Sequence, residues 1–289
     1  MTKGITFFNF GGGCAVRLLV AAYSLRDHYT GPLTFQLAKR DEFNDRLAPD
    51  LERIGGVQWF DLERLTKRNL KSAIKPSLFK ISPYESTLML DGDLLIQGDP
   101  TPLLDLIDKH EFLVTQFSTW NCDGGRMRKR VQRCAEFITR DYMNTLLSRK
   151  KKVPAVNIGV MGWKKSAPAV LEDWEKMTMN LAGQHIADEV ACQVIYTRNR
   201  HYVADETWNS SCLYGVQEPA EAKILHYHGN KHTRIDRQSS MLWLQYLARL
   251  VESGKVERMS EFLKWKDKAL RGRLKETPNV LREALRWIL

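Results

Sequence analysis

The sequence predicts an α/β fold with a mixed, mostly parallel sheet flanked by helices and a helical C-terminal tail. Short runs of β-forming residues alternate with stretches of helical spacing, as in chains that build parallel sheets. The chain has 289 residues, 43% hydrophobic and 27% charged, so it can bury a sizeable core. One apolar run, residues 87–90, ends abruptly in Asp91-Gly92-Asp93. Because ligands bind beyond the carboxyl ends of strands in such sheets, a site is expected there.

Each element follows from its local pattern, beginning with a strand at residues 5–10 that stops at three glycines, residues 11–13. A helix is predicted over residues 14–29, because Leu18, Ala22 and Leu25 recur on one side. Further predicted strands cover residues 33–37, 57–60, 86–90 with a continuation at 94–96, 111–116, 156–163 and 223–227. Further predicted helices cover residues 69–80, 167–181, 187–197 and the chain from about 239 onwards.

The cysteines and the N-terminus indicate a cytoplasmic protein. The five cysteines are odd in number and form no CxxC pair, so reduced thiols are expected rather than a disulfide framework or a zinc cluster. The glycines at 11–13 interrupt the first apolar run, which we interpret as the first element of the fold and not as a signal peptide. Apolar runs stay well below twenty residues, so no transmembrane helix is expected.

Most of the net charge of +10 is concentrated in one segment, residues 126–152. Ten lysines and arginines stand there against Glu136 and Asp141, which gives a local net charge of +8. Such a segment favours a polyanionic partner, namely nucleic acid, an anionic membrane surface or an acidic glycan. The alternative is a solvated basic loop without a partner.

Asp91-Gly92-Asp93 is a candidate metal site. Two carboxylates two residues apart at a strand end converge on one side, and Mg²⁺ and Mn²⁺ prefer oxygen ligands and bridge diphosphates. The glycine between them is expected to leave room for a ligand near the backbone. A turn with two solvated aspartates is the alternative, and the apolar strand before the motif argues against it.

A second candidate is the segment 225–232, in which three histidines occur beside Gly229 and Lys231. A histidine can complete a metal shell begun by carboxylates, and a lysine beside a glycine loop can neutralise a phosphate. The alternative is a polar loop with incidental histidines.

These motifs together resemble the GT-A glycosyltransferases, which have a Rossmann-like fold, and most closely the family 8 group of bacterial galactosyltransferases and glycogenin. The likeness covers roughly residues 4–235. Four landmarks occur in the order of the family: residues 84–93 with Gly98-Asp99-Pro100, the Asn157-x-Gly159-Val160 strand, the pair Asp188-Glu189, and Trp208-Asn209 followed by His226-x-x-Gly229 with Lys231.

The resemblance implies a donor site for a nucleotide sugar, most commonly a UDP-sugar, with Mn²⁺ or Mg²⁺. Asp91, Asp93 and His226 would bind the metal ion, with His228 as the alternative histidine. Asn157, Asp188 and Glu189 would line the sugar and acceptor side and carry the catalysis. The remaining implied donor-binding residues are Phe8, Asn9, Gly11, Lys75, Gly92, Gly229 and Lys231.

The chain departs from the family at two of these positions. The last loop has one residue fewer between Gly229 and Lys231, which leaves His232 or Arg234 as a substitute for the lysine. Glu189 stands where relatives often carry an amide. A carboxylate there could stabilise positive charge at the anomeric carbon or activate the acceptor hydroxyl, so retention and inversion both stay open.

The resemblance assigns residues 1–238 to the catalytic domain, with a basic insert at 118–152 on the acceptor side, and 239–289 to a basic helical extension. We therefore predict a polyanionic acceptor, with a flipped-out modified base in DNA as the first choice. The predicted acceptor-binding residues are Arg126, Arg128, Lys129, Arg130, Lys150, Lys151 and Lys152.

Three alternatives remain open. The acceptor could be a lipopolysaccharide or another glycolipid, with the tail at 264–289 lying on an anionic membrane. The chain could be a nucleic-acid-binding protein without catalysis. Residues 90–95 also resemble the first motif of haloacid-dehalogenase phosphatases, but that motif normally opens the domain, and Leu95 departs from it.

Overall fold

A computed structural model of the chain describes residues 2–9, 14–39, 41–61, 74–181, 183–184, 186–212, 220–228, 238–257 and 259. The predicted α/β class is confirmed. The strands are β1 Lys3–Asn9, β2 Leu33–Ala38, β3 Gly56–Phe60, β4 Ser86–Leu90, β5 Leu94–Ile96, β6 Phe112–Asn121, β7 Pro154–Lys164, β8 His201–Ala204, β9 Ser210–Ser211 and β10 Ile224–His226.

The helices lie between these strands. They are α1 Ala15–Arg26, α2 Glu42–Glu52, α3 Ile74–Ser77 with a 3-10 turn Leu78–Ile81, α4 Thr101–Lys109, α5 Gly125–Arg133 followed by a 3-10 turn Ala135–Phe137, α6 Arg140–Leu146, α7 Pro168–Asn180, α8 Ala187–Tyr196, a 3-10 turn Glu206–Asn209 and α9 Gln238–Glu252. Among the described helices, none has the length and apolar character needed to cross a bilayer.

Two sheets occur within the described residues. The larger has the strand order β3-β2-β1-β4-β7-β6-β8, in which β6 runs antiparallel to β7 and parallel to β8. The smaller has the order β5-β10-β9. The sequence predicted β5 as a continuation of β4. In the structure it pairs with β10 instead, because the turn at Asp91–Asp93 redirects the chain.

The chain divides into two compact units, each built from several segments. Unit 1 comprises Met1–Thr6, Phe60–Met89 and Thr101–Asn209, and unit 2 comprises Phe7–Trp59, Leu90–Pro100 and Ser210–Leu289.

In unit 2, α1 is buried along nearly its whole length, which suits its run of strong helix formers, alanine and leucine. At its end the Arg26 guanidinium donates to the carbonyls of Ile54, Tyr29 and Gly31, at 2.6, 3.1 and 2.8 Å, which fixes the turn into β2. Helix α2, which the sequence reading missed, begins at an Asp41 cap whose carboxylate accepts two backbone N–H groups.

In unit 1, the basic segment is folded rather than a plain loop. Helix α5 buries Met127 and Val131 while Lys129 and Arg133 are exposed, so two apolar residues four apart hold a strongly charged helix in place. Predicted helix 69–80 is observed from Ile74 to Ile81, and its first residues lie outside the described part. Of the tail, the structure describes α9 and a few residues after it; the stretch 264–289 lies outside.

Candidate active site

A candidate metal centre lies in unit 2, where the small sheet joins two distant parts of the sequence. Strand β10 pairs antiparallel with β5, so His226 stands opposite Leu94, the residue after Asp93. The pairing extends past the strand, because the Tyr227 N–H donates to the Asp93 carbonyl at 3.1 Å. The sheet register therefore brings the predicted histidine to the predicted aspartates.

The three side chains meet closely. One ligand atom from each of Asp91, Asp93 and His226 lies within 4.8 Å of the others. His226 Nε2 is 3.2 Å from Asp93 Oδ1 and 4.0 Å from Asp91 Oδ2. The imidazole is 3% exposed and each carboxylate 17%, so the cluster is accessible from the carboxylate side. Two carboxylate oxygens and one imidazole nitrogen form a donor set that suits Mn²⁺ or Mg²⁺.

The rival histidine, His228, has another contact. Its Nε2 lies 3.0 Å from Ser211 Oγ, and its ring stacks on His226 with centroids 3.8 Å apart. His228 has a left-handed backbone, with φ of 45°. The geometry therefore favours His226 as the ligand and places His228 beside it.

The surroundings of Gly92 differ from the sequence prediction, which expected room there for a ligand near the backbone. A Cβ added there would lie 3.5 Å from Leu18 Cβ on α1. The glycine thus allows α1 to approach the turn, and the space at its Cα is occupied by the protein rather than open to a ligand.

The residues predicted for the nucleotide are partly described. Asn9 is buried, and its amide donates to Asn44 Oδ1 at 2.7 Å, while Asn44 donates to the Ala38 carbonyl at 2.9 Å. Asn9 therefore ties the end of β1 to α2, and Phe8 next to it is half-buried. Gly11, Gly229 and Lys231 lie outside the described residues.

A second candidate cluster lies in unit 1, at the start of α8. Asp188 is half-buried and its Oδ1 accepts the Glu189 N–H at 3.0 Å. Glu189 is buried, and both of its oxygens have partners: Arg130 Nη1 at 2.5 Å from Oε1 and Asn157 Nδ2 at 2.8 Å from Oε2. Burial raises the pKa of the Glu189 carboxyl above its ordinary value, although Arg130 acts in the opposite direction.

The Asn157 amide is held on its other side too. Its Oδ1 accepts the Gly159 N–H at 2.9 Å and Asn209 Nδ2 at 3.1 Å. This stretch of β7 is irregular: Val114 and Thr115 of β6 pair with Met161 and Asn157, so the residues between them bulge. Bulges of this kind often lie next to active sites, where they redirect a side chain.

The predicted basic residues do not share one environment. Lys75 of α3 reaches the Ile158 carbonyl at 3.5 Å, whereas Lys129 is exposed on α5. Lys150, Lys151 and Lys152 are also exposed, and Lys152 pairs with Asp123 at 3.1 Å. Arg128 is half-buried, and the Arg126 side chain lies outside the described part.

Several residues of these sites were missed by the sequence reading. Asn209 was noted as part of a landmark without a role, and Ser211 and Asn44 were not noted. Arg130 was counted among the acceptor-binding cations, and its partner in the structure is the buried Glu189. Sequence offers no signal for such pairs, because the partners are 59 and 52 residues apart for Arg130–Glu189 and Asn157–Asn209.

Comparisons with known proteins reveal a likeness at the level of structure. No family model matches the chain, and no curated protein matches it. Among solved structures, the apo bifunctional glycosyltransferase WbbM superposes with a TM-score of 0.63 and 12% identity, over 91% of this chain and 51% of WbbM. The chain therefore spans about half the length of that protein.

Two other solved structures match over most of both chains. Galactosyltransferase LgtC, in complex with donor and acceptor sugar analogs, has a TM-score of 0.58 and 15% identity, over 85% of this chain and 95% of LgtC. Apo mouse xyloside xylosyltransferase 1 has a TM-score of 0.57 and 14% identity, over 80% and 98%. These likenesses confirm the predicted GT-A fold, and at such identities they extend to the fold alone.

Proposed function

We propose that the protein is a metal-dependent glycosyltransferase that takes a sugar from a nucleotide sugar, with a UDP-sugar as the first choice. The observation that carries the proposal is the Asp91–Asp93–His226 cluster, whose atoms lie within 4.8 Å of one another on a GT-A fold. The sequence motif, the sheet register and the donor chemistry all lead to the same three residues.

In this proposal the metal site belongs to unit 2. Asp91, Asp93 and His226 would hold Mn²⁺ or Mg²⁺, which neutralises the charge that develops on a departing nucleoside diphosphate. Phe8, Gly11 and Lys231, with the other donor-binding residues implied by the resemblance, would hold the nucleotide. The catalytic domain would cover residues 1–238, as the resemblance implies, and 239–289 would be the extension.

Asn157, Asp188 and Glu189 would line the sugar and acceptor side, as the resemblance implies. Of the three predicted catalytic residues, Asp188 has the most accessible side chain and is our candidate for contact with the sugar. Asn157 and Glu189 are buried and hydrogen-bonded to each other, so their role would be to hold neighbouring residues in position. A carboxylate at Asp188 could bind sugar hydroxyls or stabilise positive charge at the anomeric carbon.

For the acceptor, the exposed cations favour a polyanion, and we propose nucleic acid with an exposed hydroxyl on a modified base. Lys129, Lys150, Lys151 and Lys152 offer phosphate contacts. Arg198, two residues after the end of α8, adds a further cation, and its guanidinium lies 3.6 Å from the centroid of the Tyr142 ring on α6. The same cations would also suit an anionic glycolipid, which is the second acceptor class to be tested.

A donor-hydrolysis screen tests the reaction. Purified protein is incubated with a panel of nucleotide sugars, with Mn²⁺ or with EDTA. We expect Mn²⁺-dependent release of the nucleoside diphosphate from one donor, abolished in Asp93→Ala and retained in a matched variant, Glu52→Gln, whose side chain is exposed on α2. Turnover that persists in EDTA or in Asp93→Ala would contradict the metal-dependent reaction.

The acceptor is tested in the same assay with hydroxymethylated DNA, unmodified DNA or glycolipid vesicles. We expect stimulation by the hydroxymethylated DNA and a binding affinity that falls steeply with salt. In a triple variant, with Lys150, Lys151 and Lys152 changed to Gln, the slope of log affinity against log salt should decrease by about 2–3, since each phosphate contact contributes about 0.9.

A matched triple variant controls for the change in total charge. Lys39, Lys109 and Lys176 are exposed lysines elsewhere on the chain, and their substitution by Gln removes the same charge. An equal loss of slope in both triple variants would show a non-specific charge effect and would contradict the assignment of the basic segment. Stimulation by glycolipid and not by DNA would move the acceptor to the second class.

A further inference from the structure

The Arg130–Glu189 ion pair is the least expected feature of unit 1. Arg130 lies on α5 in the middle of the basic segment, and its Nη1 is 2.5 Å from Glu189 Oε1. Its side chain is 24% exposed, whereas that of Glu189 is 8% exposed. From composition alone, Arg130 would be assigned to an anionic partner. In the structure its guanidinium contacts the buried Glu189 carboxylate.

The Glu189 carboxylate is fixed at both oxygens. Oε1 holds the guanidinium, and Oε2 accepts the Asn157 amide at 2.8 Å. Each oxygen accepts a charge-assisted hydrogen bond, and the side chain is only 8% exposed, so the remaining lone pairs have little access to a substrate. These contacts therefore indicate that Glu189 positions its neighbours and does not react with the substrate.

What Glu189 holds is the irregular part of β7. Asn157 accepts the Gly159 N–H and the Asn209 amide through Oδ1 and donates to Glu189 through Nδ2. The chain from Arg130 through Glu189 to Asn157 is thus continuous, and Glu189 directly follows Asp188 at the start of α8. A shift of Glu189 would move both the bulge and the half-buried carboxylate of Asp188.

Other charged groups also act on Glu189. Lys75 of α3 favours its ionised form, whereas Asp188 on its own helix opposes it, and Cys192 lies one turn further along α8. Burial is the largest influence and raises the pKa of the Glu189 carboxyl. Arg130 is the strongest of the groups that keep it ionised.

We propose that Arg130 is a positioning residue of the transferase site, which orients the Glu189 carboxylate so that Asn157 and Asp188 are held in place. The proposal rests on the proposed function. It separates Arg130 from the exposed cations of the same segment: those serve the acceptor, and Arg130 serves the site. Glu189 acts with it through hydrogen bonds, and Asp188 is the proposed sugar contact.

The test compares Arg130→Met with Lys176→Met, which removes the same charge at an exposed position on α7, outside the basic segment. For the donor that the wild type hydrolyses, we expect Arg130→Met to lower kcat by about 100-fold, because a displaced catalytic group costs on that order, with a much smaller change in KM. Arg130→Lys should recover part of the loss. Lys176→Met should retain the wild-type kcat.

The pH profile supplies a readout that a structural role alone would not change. Without the guanidinium, the pKa of Glu189 rises further, so the acidic limb of the kcat profile should move to higher pH in Arg130→Met. An unchanged limb, or an unchanged kcat with a loss of stability alone, would overturn the proposal. So would an equal loss in Lys176→Met.

Thermal unfolding of Arg130→Met, Glu189→Gln and the double variant measures the pair independently of turnover. Because the folded-state pKa of Glu189 is raised, its ionisation lowers stability as pH rises through that pKa. The Tm deficit of Arg130→Met should therefore grow with pH, to about 5 °C at neutral pH, and Glu189→Gln should cancel it in the double variant.

The proposed function and the positioning role of Arg130 are refuted by different results. If the wild type turned over no donor under any condition, the proposed function would fall, and the role of Arg130 with it, whatever the unfolding data gave. If the wild type turned over a donor and Arg130→Met did so equally well, the transferase would stand and the positioning role would be refuted.

Discussion

The proposed metal centre leads to a prediction about Asp93→Asn in which stability and metal affinity move in opposite directions. In the metal-free protein, Asp91 and Asp93 place two carboxylates within 4.8 Å. Two like charges at that distance repel by about 3 kcal/mol at an effective dielectric constant of 20 and by about 1 kcal/mol in water. Each carboxylate is 17% exposed, so the repulsion lies between these values.

Asparagine removes this repulsion and keeps an oxygen that can accept a hydrogen bond from His226 Nε2, now 3.2 Å from Asp93. The metal-free variant should therefore be at least as stable as the wild type. Its metal affinity should fall by about 100-fold or more, since even groups that only support a ligand cost 10- to 100-fold. That loss corresponds to about 2.7 kcal/mol.

The assay has two parts. Electron paramagnetic resonance of free Mn²⁺ during titration gives the affinity. Thermal unfolding with Mn²⁺ at about 100 times the wild-type Kd gives about 2.7 kcal/mol of stabilisation, which is about 4 °C for a chain of this length. Asp93→Asn should lose this shift, and Glu52→Gln on α2 should keep it. An unchanged Mn²⁺ affinity in Asp93→Asn, or a clearly less stable metal-free variant, would refute the reasoning.

Two further predictions concern packing and thiol chemistry in unit 1. Gly162→Ala should destabilise the protein by about 1–3 kcal/mol, because the new methyl group would overlap the Ile107 side chain; Gly56→Ala, which meets ordinary contact distances, is the control in thermal unfolding. Burial raises the pKa of the Cys122 thiol to about 12, so in the native protein at pH 8 this thiol should stay unlabelled by iodoacetamide. Mass spectrometry should find the label first on half-buried Cys14, and rapid labelling of Cys122 would contradict its burial.

Local pattern was sufficient to predict most elements. Strand β4 was predicted with its observed bounds, because a fully buried strand is a continuous apolar run ended by the polar Asp91. The predicted helix at residues 187–197 differs from the observed α8 by one residue at its C-terminal end. The prediction succeeded because the apolar and acidic residues recur at helical spacing. Helix α2 was missed, because Asp50 and Asn44 are buried polar residues and Pro49 lies inside the helix, which hides the apolar face.

For the sites, the sequence indicated which residues could hold a metal ion, because Asp91, Asp93 and His226 are residue types that divalent ions accept as ligands. The tertiary structure favours His226 over His228 as the third candidate ligand, since strand register sets which side chain faces a partner strand. It also decided that Arg130 belongs with Glu189. A sequence shows how many cations a segment contains. Which of them contacts a buried carboxylate is determined only by the packing of α5 against the rest of unit 1.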